Sequence, residues 1–112
     1  MMGCRRAFAT IVAALACVAA TGACAADIAL GKAKAAEVCE SCHGAAGNST
    51  SQDFPKLGGQ YRDYLEKTLR DYKSGDRKNA IMAGFAKPLS KEDIDNLAAY
   101  YAAQPAVVAS TH

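Results

Sequence analysis

Hydrophobic and polar positions divide the chain into one unbroken apolar run and three amphipathic stretches behind it. The run, Ala7 to Ala20, carries no charge and shows no polar face. Behind it, apolar residues recur at helical spacing, and no strand-like alternation competes. A first helix is predicted from about Ile28 to Cys39, with Asp27 as N-cap and Leu30, Ala33 and Val38 among its apolar positions. Gly31 lowers helix propensity there, which points to a place where another helix passes close. A second helix is predicted from about Tyr61 to Lys73, ended by Gly75. In it Tyr61, Tyr64, Leu65, Thr68, Leu69 and Tyr72 fall at i, i+3, i+4, i+7, i+8 and i+11, one continuous face. The third starts at Ser90-Lys91-Glu92-Asp93, a capping-box pattern with Asp93 in place of Glu or Gln. Its inner face is Ile94, Leu97, Ala98 and Tyr101, with Tyr100 beside it and Pro105 beyond the end. Gly-containing loops are predicted over 44–60 and 75–89, and residues 106–112 read as a frayed tail. The fold class is all-α.

The apolar run has the flanks of a secretory signal peptide. Arg5 and Arg6 supply the positive n-region, and Ala23-Cys24-Ala25 meets the small-x-small rule for cleavage. Residues 1–25 are therefore read as a signal peptide, cut after Ala25 or Ala26, and 26–112 as the mature domain. A retained anchor is disfavoured because the run falls short of the ~20 residues a spanning helix needs. Lipid on Cys24 or Cys17 is disfavoured because Thr21 and Ala14 stand where a lipoprotein signal has Leu. Export with removal leaves no membrane span and places the product in the periplasm.

Removal changes the composition that matters. Three of the five cysteines (Cys4, Cys17, Cys24) leave, and the mature part keeps Cys39 and Cys42. Losing Arg5 and Arg6 takes Lys+Arg from 13 to 11, against 11 Asp+Glu. A formally neutral domain lacks the basic face that phosphates require, which argues against nucleic acid as a partner. The mature part, roughly 86 residues, is of a size at which a hydrophobic core alone is marginal. It has no Trp, and its only Phe residues are Phe54 and Phe85. A disulfide between cysteines so close in sequence would be strained and would staple almost nothing. A large apolar cofactor can fill that role.

Cys39-Glu40-Ser41-Cys42-His43 matches the C-x-x-C-H pattern of covalent haem attachment. Two thiols at this spacing reach the two vinyl groups of one porphyrin, and the next histidine is directed at the iron. The competing readings lack support in the chain. Zinc needs four ligands, and His112 is the only other Cys or His of the mature part. A thioredoxin-like redox pair wants a βαβ context, and none is visible. With Cys39 and Cys42 as thioether positions and His43 as proximal ligand, the second axial position falls to Met82, the sole methionine of the mature part. The bland alternative makes Met82 a core gap-filler, and Lys87 or His112 is the fallback ligand.

The chain resembles the class I c-type cytochromes, in particular the small bacterial cytochrome c553 branch and one lobe of the related dihaem carriers. The resemblance runs from Gly31 to Gln104 through Cys39-Glu40-Ser41-Cys42-His43-Gly44, Phe54-Pro55-Lys56-Leu57-Gly58-Gly59-Gln60, Gly75-Asp76-Arg77-Lys78-Asn79, Met82 and Leu97-Ala98-Ala99-Tyr100-Tyr101. It implies three main helices packed around one covalently attached haem c, with His43 and Met82 on the iron. It also implies that the Pro55 carbonyl accepts from His43 Nδ1, and that Gly31 meets Leu97 and Tyr100 where the terminal helices cross. Arg77 and Gln60 are open either to haem propionates or to solvent. One C-x-x-C-H and no second lobe imply one haem per chain.

The function so implied is electron transport by transient docking. The donor would be a quinol-oxidising complex or a dehydrogenase, and the acceptor a terminal oxidase or reductase. The alternative is a haem subunit of an exported dehydrogenase or a small peroxidase, in which Met82 would leave the iron. The chain offers no acid–base pair or nucleophile of its own, so an electron carrier is favoured over an enzyme.

Overall fold

The structure, a computed structural model, describes residues 25–106. The signal-peptide reading and the tail, with His112, lie outside the described residues apart from the cleavage positions and Ala106. Five helices follow in order: α1 (Ile28–Val38), α2 (Glu40–His43), α3 (Arg62–Ser74), α4 (Ala80–Ala86) and α5 (Lys91–Ala102), with a 3-10 turn at Ala45–Gly47. No strand forms among the described residues, and none of their helices is long and apolar enough to cross a membrane.

Side-chain caps start two of the long helices, and a glycine ends the third. The Asp27 side chain accepts from Leu30 N, 3.1 Å away, and starts α1. Ser90 Oγ accepts from Asp93 N and the Asp93 carboxylate from Ser90 N, both at 3.0 Å, so the box at the head of α5 is complete with Asp in the third position. Gly75 closes α3, its N–H donating to Asp71 O at 3.0 Å.

α1 crosses α5 closely, and the crossing explains Gly31. A Cβ there would stand 2.1 Å from Asn96 O and 2.9 Å from Tyr100 Cβ, so only glycine admits the approach. The nearest atoms belong to Asn96 and Tyr100, so the expected approach to Tyr100 is present and Asn96 joins it. The crossing also sets which residues of α1 turn inward. Gly31 and Ala35 are its buried residues, whereas Leu30 is 54 % exposed. A crossing this close has no room for a leucine. Asn96 secures it from the other side, its Oδ1 accepting from Asp27 N at 2.7 Å.

The core lies along α5. Ile94, Leu97, Ala98, Tyr100 and Tyr101 are buried with Ala35, Leu65 and Leu89, and Cys39, Leu57 and Leu69 pack against them. Full burial of side chains such as Ile94 and Leu97 contributes about 1.5–3 kcal/mol each. The 44–60 segment is closed on itself by Leu57 N donating to Gly47 O and tied to α5 by Gly59 N donating to Tyr101 O, both at 2.9 Å.

Candidate functional site

Residues 39–43 form a single tight turn directly after α1. His43 N donates to Cys39 O at 2.9 Å and Cys42 N to the same carbonyl at 3.2 Å, which brings the two thiols and the imidazole to one side of the fold. All three line a cavity of about 290 Å³. His43 is buried, and its Nδ1 lies 2.8 Å from Pro55 O. A carbonyl can only accept, so Nδ1 carries the proton and Nε2 keeps the lone pair that binds a metal. Phe54 sets its ring edge-on to the imidazole, centroids 6.3 Å apart, and further restricts it. The proline role implied by resemblance is thus present as a hydrogen bond.

The facing wall comes from α3 and α4. Tyr64, Leu65, Thr68, Leu69 and Tyr72 of α3 all line the cavity, so the apolar face legible in the sequence is turned toward this space. Tyr61 departs from that face: it precedes the helix and is 82 % exposed. Met82 lines the cavity with Ile81 and Phe85. It stands on a seven-residue helix, not in the expected loop. Asn79 Oδ1 accepts from Ile81 N at 3.1 Å and Met82 N at 3.0 Å, which fixes the backbone from which Met82 projects. The Lys73 ammonium donates to Lys87 O at 3.1 Å and to Leu89 O, tying the end of α3 to the chain leaving α4. Lys87, the fallback ligand, does not line the cavity.

At the rim, Arg77 Nη1 donates to Tyr64 Oη at 3.3 Å and to Thr68 Oγ1 at 3.5 Å, and its guanidinium lies 5.0 Å from the centre of the Tyr72 ring. The hydrogen bond from Arg77 pulls the Tyr64 pKa below the usual phenol value, with the nearby positive charge adding to it. Gln60 also lines the cavity, while its Oε1 accepts from Tyr61 N at 2.8 Å. On the floor, burial pushes the Cys39 thiol up from its ordinary value. Tyr101 completes the floor, and its buried hydroxyl has no hydrogen-bond partner among the described residues.

This set fits a flat, mostly apolar iron porphyrin. Both sulfurs available for thioether bonds, an imidazole with its distal nitrogen freed for a metal, a thioether side chain and one guanidinium share a cavity whose walls are otherwise largely Leu, Phe, Tyr and Ile. Cys39, Cys42, His43 and Met82 are all brought to it. Spacing alone did not identify Phe54, Leu57 and Tyr101 as its wall. Phe54 and Leu57 flank the proline within the quoted motif, and Tyr101 belonged to the predicted inner face of α5.

The model of the family described as cytochrome c matches residues 28–103. Cytochrome c4 of Pseudomonas aeruginosa is 50 % identical over 78 residues, 70 % of this chain and 38 % of the relative. The thiosulfate dehydrogenase electron acceptor of Thiomonas intermedia is 44 % identical over 64 residues, 56 % of this chain and 30 % of the relative. The crystal structure of reduced recombinant cytochrome c4 from Pseudomonas stutzeri superposes with a TM-score of 0.70 at 42 % identity, covering 75 % of this chain and 48 % of that one. The chain spans less than half the length of each of these proteins.

Proposed function

The chain belongs to the cytochrome c family, and from that premise we propose that it is a periplasmic single-electron carrier with one haem c per chain. Its fold is the all-α class I cytochrome c fold, and the family binds haem covalently. When bound, the haem supplies a one-electron ferric/ferrous couple. Cys39 and Cys42 would hold it through thioethers, and His43 and Met82 would ligate its iron. Pro55 fixes the orientation and tautomer of the imidazole through Nδ1. Leu65, Leu69, Phe54 and Phe85 exclude water, so little reorganises around the site when an electron arrives or leaves. With His43 and Met82 both committed to the iron, transfer between proteins would be favoured over catalysis.

The observation that carries this reading is the convergence of the pentad and Met82 on one cavity, with His43 Nδ1 already engaged by Pro55 O. Partners dock briefly, at the low end of interface size, below about 1,200 Å². A relative named as the electron acceptor of thiosulfate dehydrogenase supports an exported dehydrogenase as donor. A terminal oxidase or reductase is the acceptor, and the leader over residues 1–25 is removed on export.

The test is purification from the periplasm of a host competent in cytochrome maturation. The expected product begins at Ala26 or Asp27, has the mass of one added haem, and shows a sulfur-to-iron charge-transfer band in its ferric spectrum. Met82→Ala removes that band and lowers the potential while haem remains attached. Survival of the band in that variant would overturn the ligand assignment. A colourless product of unmodified mass would overturn the whole reading.

A further inference from the structure

One polar atom of the cavity wall has no part in the function proposed above. Tyr101 is 2 % exposed, and its hydroxyl makes no ordinary hydrogen bond. Buried hydroxyls are as a rule paired, because an unpaired one forfeits its hydration for nothing. The ring has no freedom to turn the group outward. A Cβ on Gly47 would lie 2.9 Å from Tyr101 Cδ1, so only the bare backbone of Gly47, at φ +71°, fits against it. Tyr100 closes another side with ring centroids 5.1 Å apart. Cys39 packs against the same buried cluster as the Tyr101 ring, and both residues line the cavity.

We propose that Tyr101 is a redox-tuning residue, its hydroxyl donating to the Cys39 sulfur once that sulfur is a thioether and thereby favouring the ferrous state. The inference rests on the haem reading above. A thiol can give or take a proton in such a pair, but a thioether has lone pairs and no hydrogen, so the phenol becomes the only donor. Burial, reinforced by the neighbouring sulfur, pushes the phenol pKa far above its usual value, so the proton stays on oxygen. The positive end of the O–H dipole is thus fixed toward the sulfur that joins the protein to the porphyrin. Electron density drawn toward that end stabilises the redox state with one more electron. No proton moves and no bond changes during transfer. Because the site is buried, the dipole is weakly screened and its effect persists at high salt.

The decisive variant is Tyr101→Phe in the full chain, exported and loaded with haem. It keeps the ring that packs against Gly47 and removes only the dipole. The charge-transfer band should be unchanged, while the ferrous-to-ferric equilibrium constant falls about threefold, or about 28 mV at 59 mV per decade for a one-electron couple. A midpoint identical to the parent's in a fully loaded variant overturns the role of Tyr101 and leaves the haem reading intact. A parent chain that takes up no haem overturns both. Should the variant fail to mature, the parent protein labelled with ¹³C-tyrosine gives the answer by redox-difference infrared spectroscopy. A tyrosine C–O band that shifts between redox states is expected, and its absence overturns the proposal.

Discussion

The α1–α5 crossing and the α3–α4 wall are built on opposite principles. At the crossing, small residues bring backbones together: Gly31 and Ala35 of α1 are buried, and the Asn96 backbone and Tyr100 of α5 come up against Gly31. At the wall, large side chains hold elements apart around a shared space. Tyr64 is 49 % exposed and Phe85 43 %. The crossing is complete in itself, whereas the wall gains its packing partner from the cofactor. An Ala-rich chain of this length therefore divides its stability between a core of its own and a core that arrives with the haem.

The largest effect expected breaks the second half outright. Cys39→Ser combined with Cys42→Ser removes covalent attachment, so denatured protein should show no haem by mass and the haem-free chain should be largely unfolded by circular dichroism. A well-folded haem-free form would mean that the crossing suffices alone. Next comes Gly31→Ala, which forces a methyl against the Asn96 carbonyl. Denaturant unfolding of the haem-loaded protein should show a loss of about 3 kcal/mol, at the upper end for overpacking because backbone must move.

A matched pair of caps sharpens the contrast further. Ser90→Ala and Asn79→Ala delete the same kind of bond at α5 and α4, each with an expected cost of about 1 kcal/mol. The first should lower global stability. The second should show mainly as earlier loss of the methionine–iron band during denaturant titration, because α4 carries Met82. The smallest effect is expected for Lys91→Ala, which removes an exposed pair to Asp95 at 2.7 Å and should shift stability by less than about 0.5 kcal/mol.

What could be read from the sequence was what is encoded locally. Asp27, the Ser90–Asp93 box and Gly75 mark helix ends within a few residues, and the cysteine pentad carries its own chemistry. What escaped depends on distant partners. The apolar positions of α1 do not reveal that Gly31 and Ala35 face inward while Leu30 stays exposed, because that depends on how close Asn96 comes. The segment around Met82 reads as a loop because Gly84 and a length of seven residues hide a helix that Asn79 nevertheless caps. The face of α3 was legible, but not that it borders a cavity instead of the protein's own core. Tyr101 was assigned inward correctly on pattern, yet nothing in a linear chain reveals a hydroxyl left without a partner.

The bond from Asp27 N to Asn96 Oδ1 joins positions 69 residues apart. A polypeptide grows from its N-terminus, so Cys39 and Cys42 exist before the helix that floors their cavity, and for that interval nothing from α5 can cover the two thiols. The terminal crossing can close only after Asn96 has been added, which leaves the cysteine pair accessible until late in synthesis.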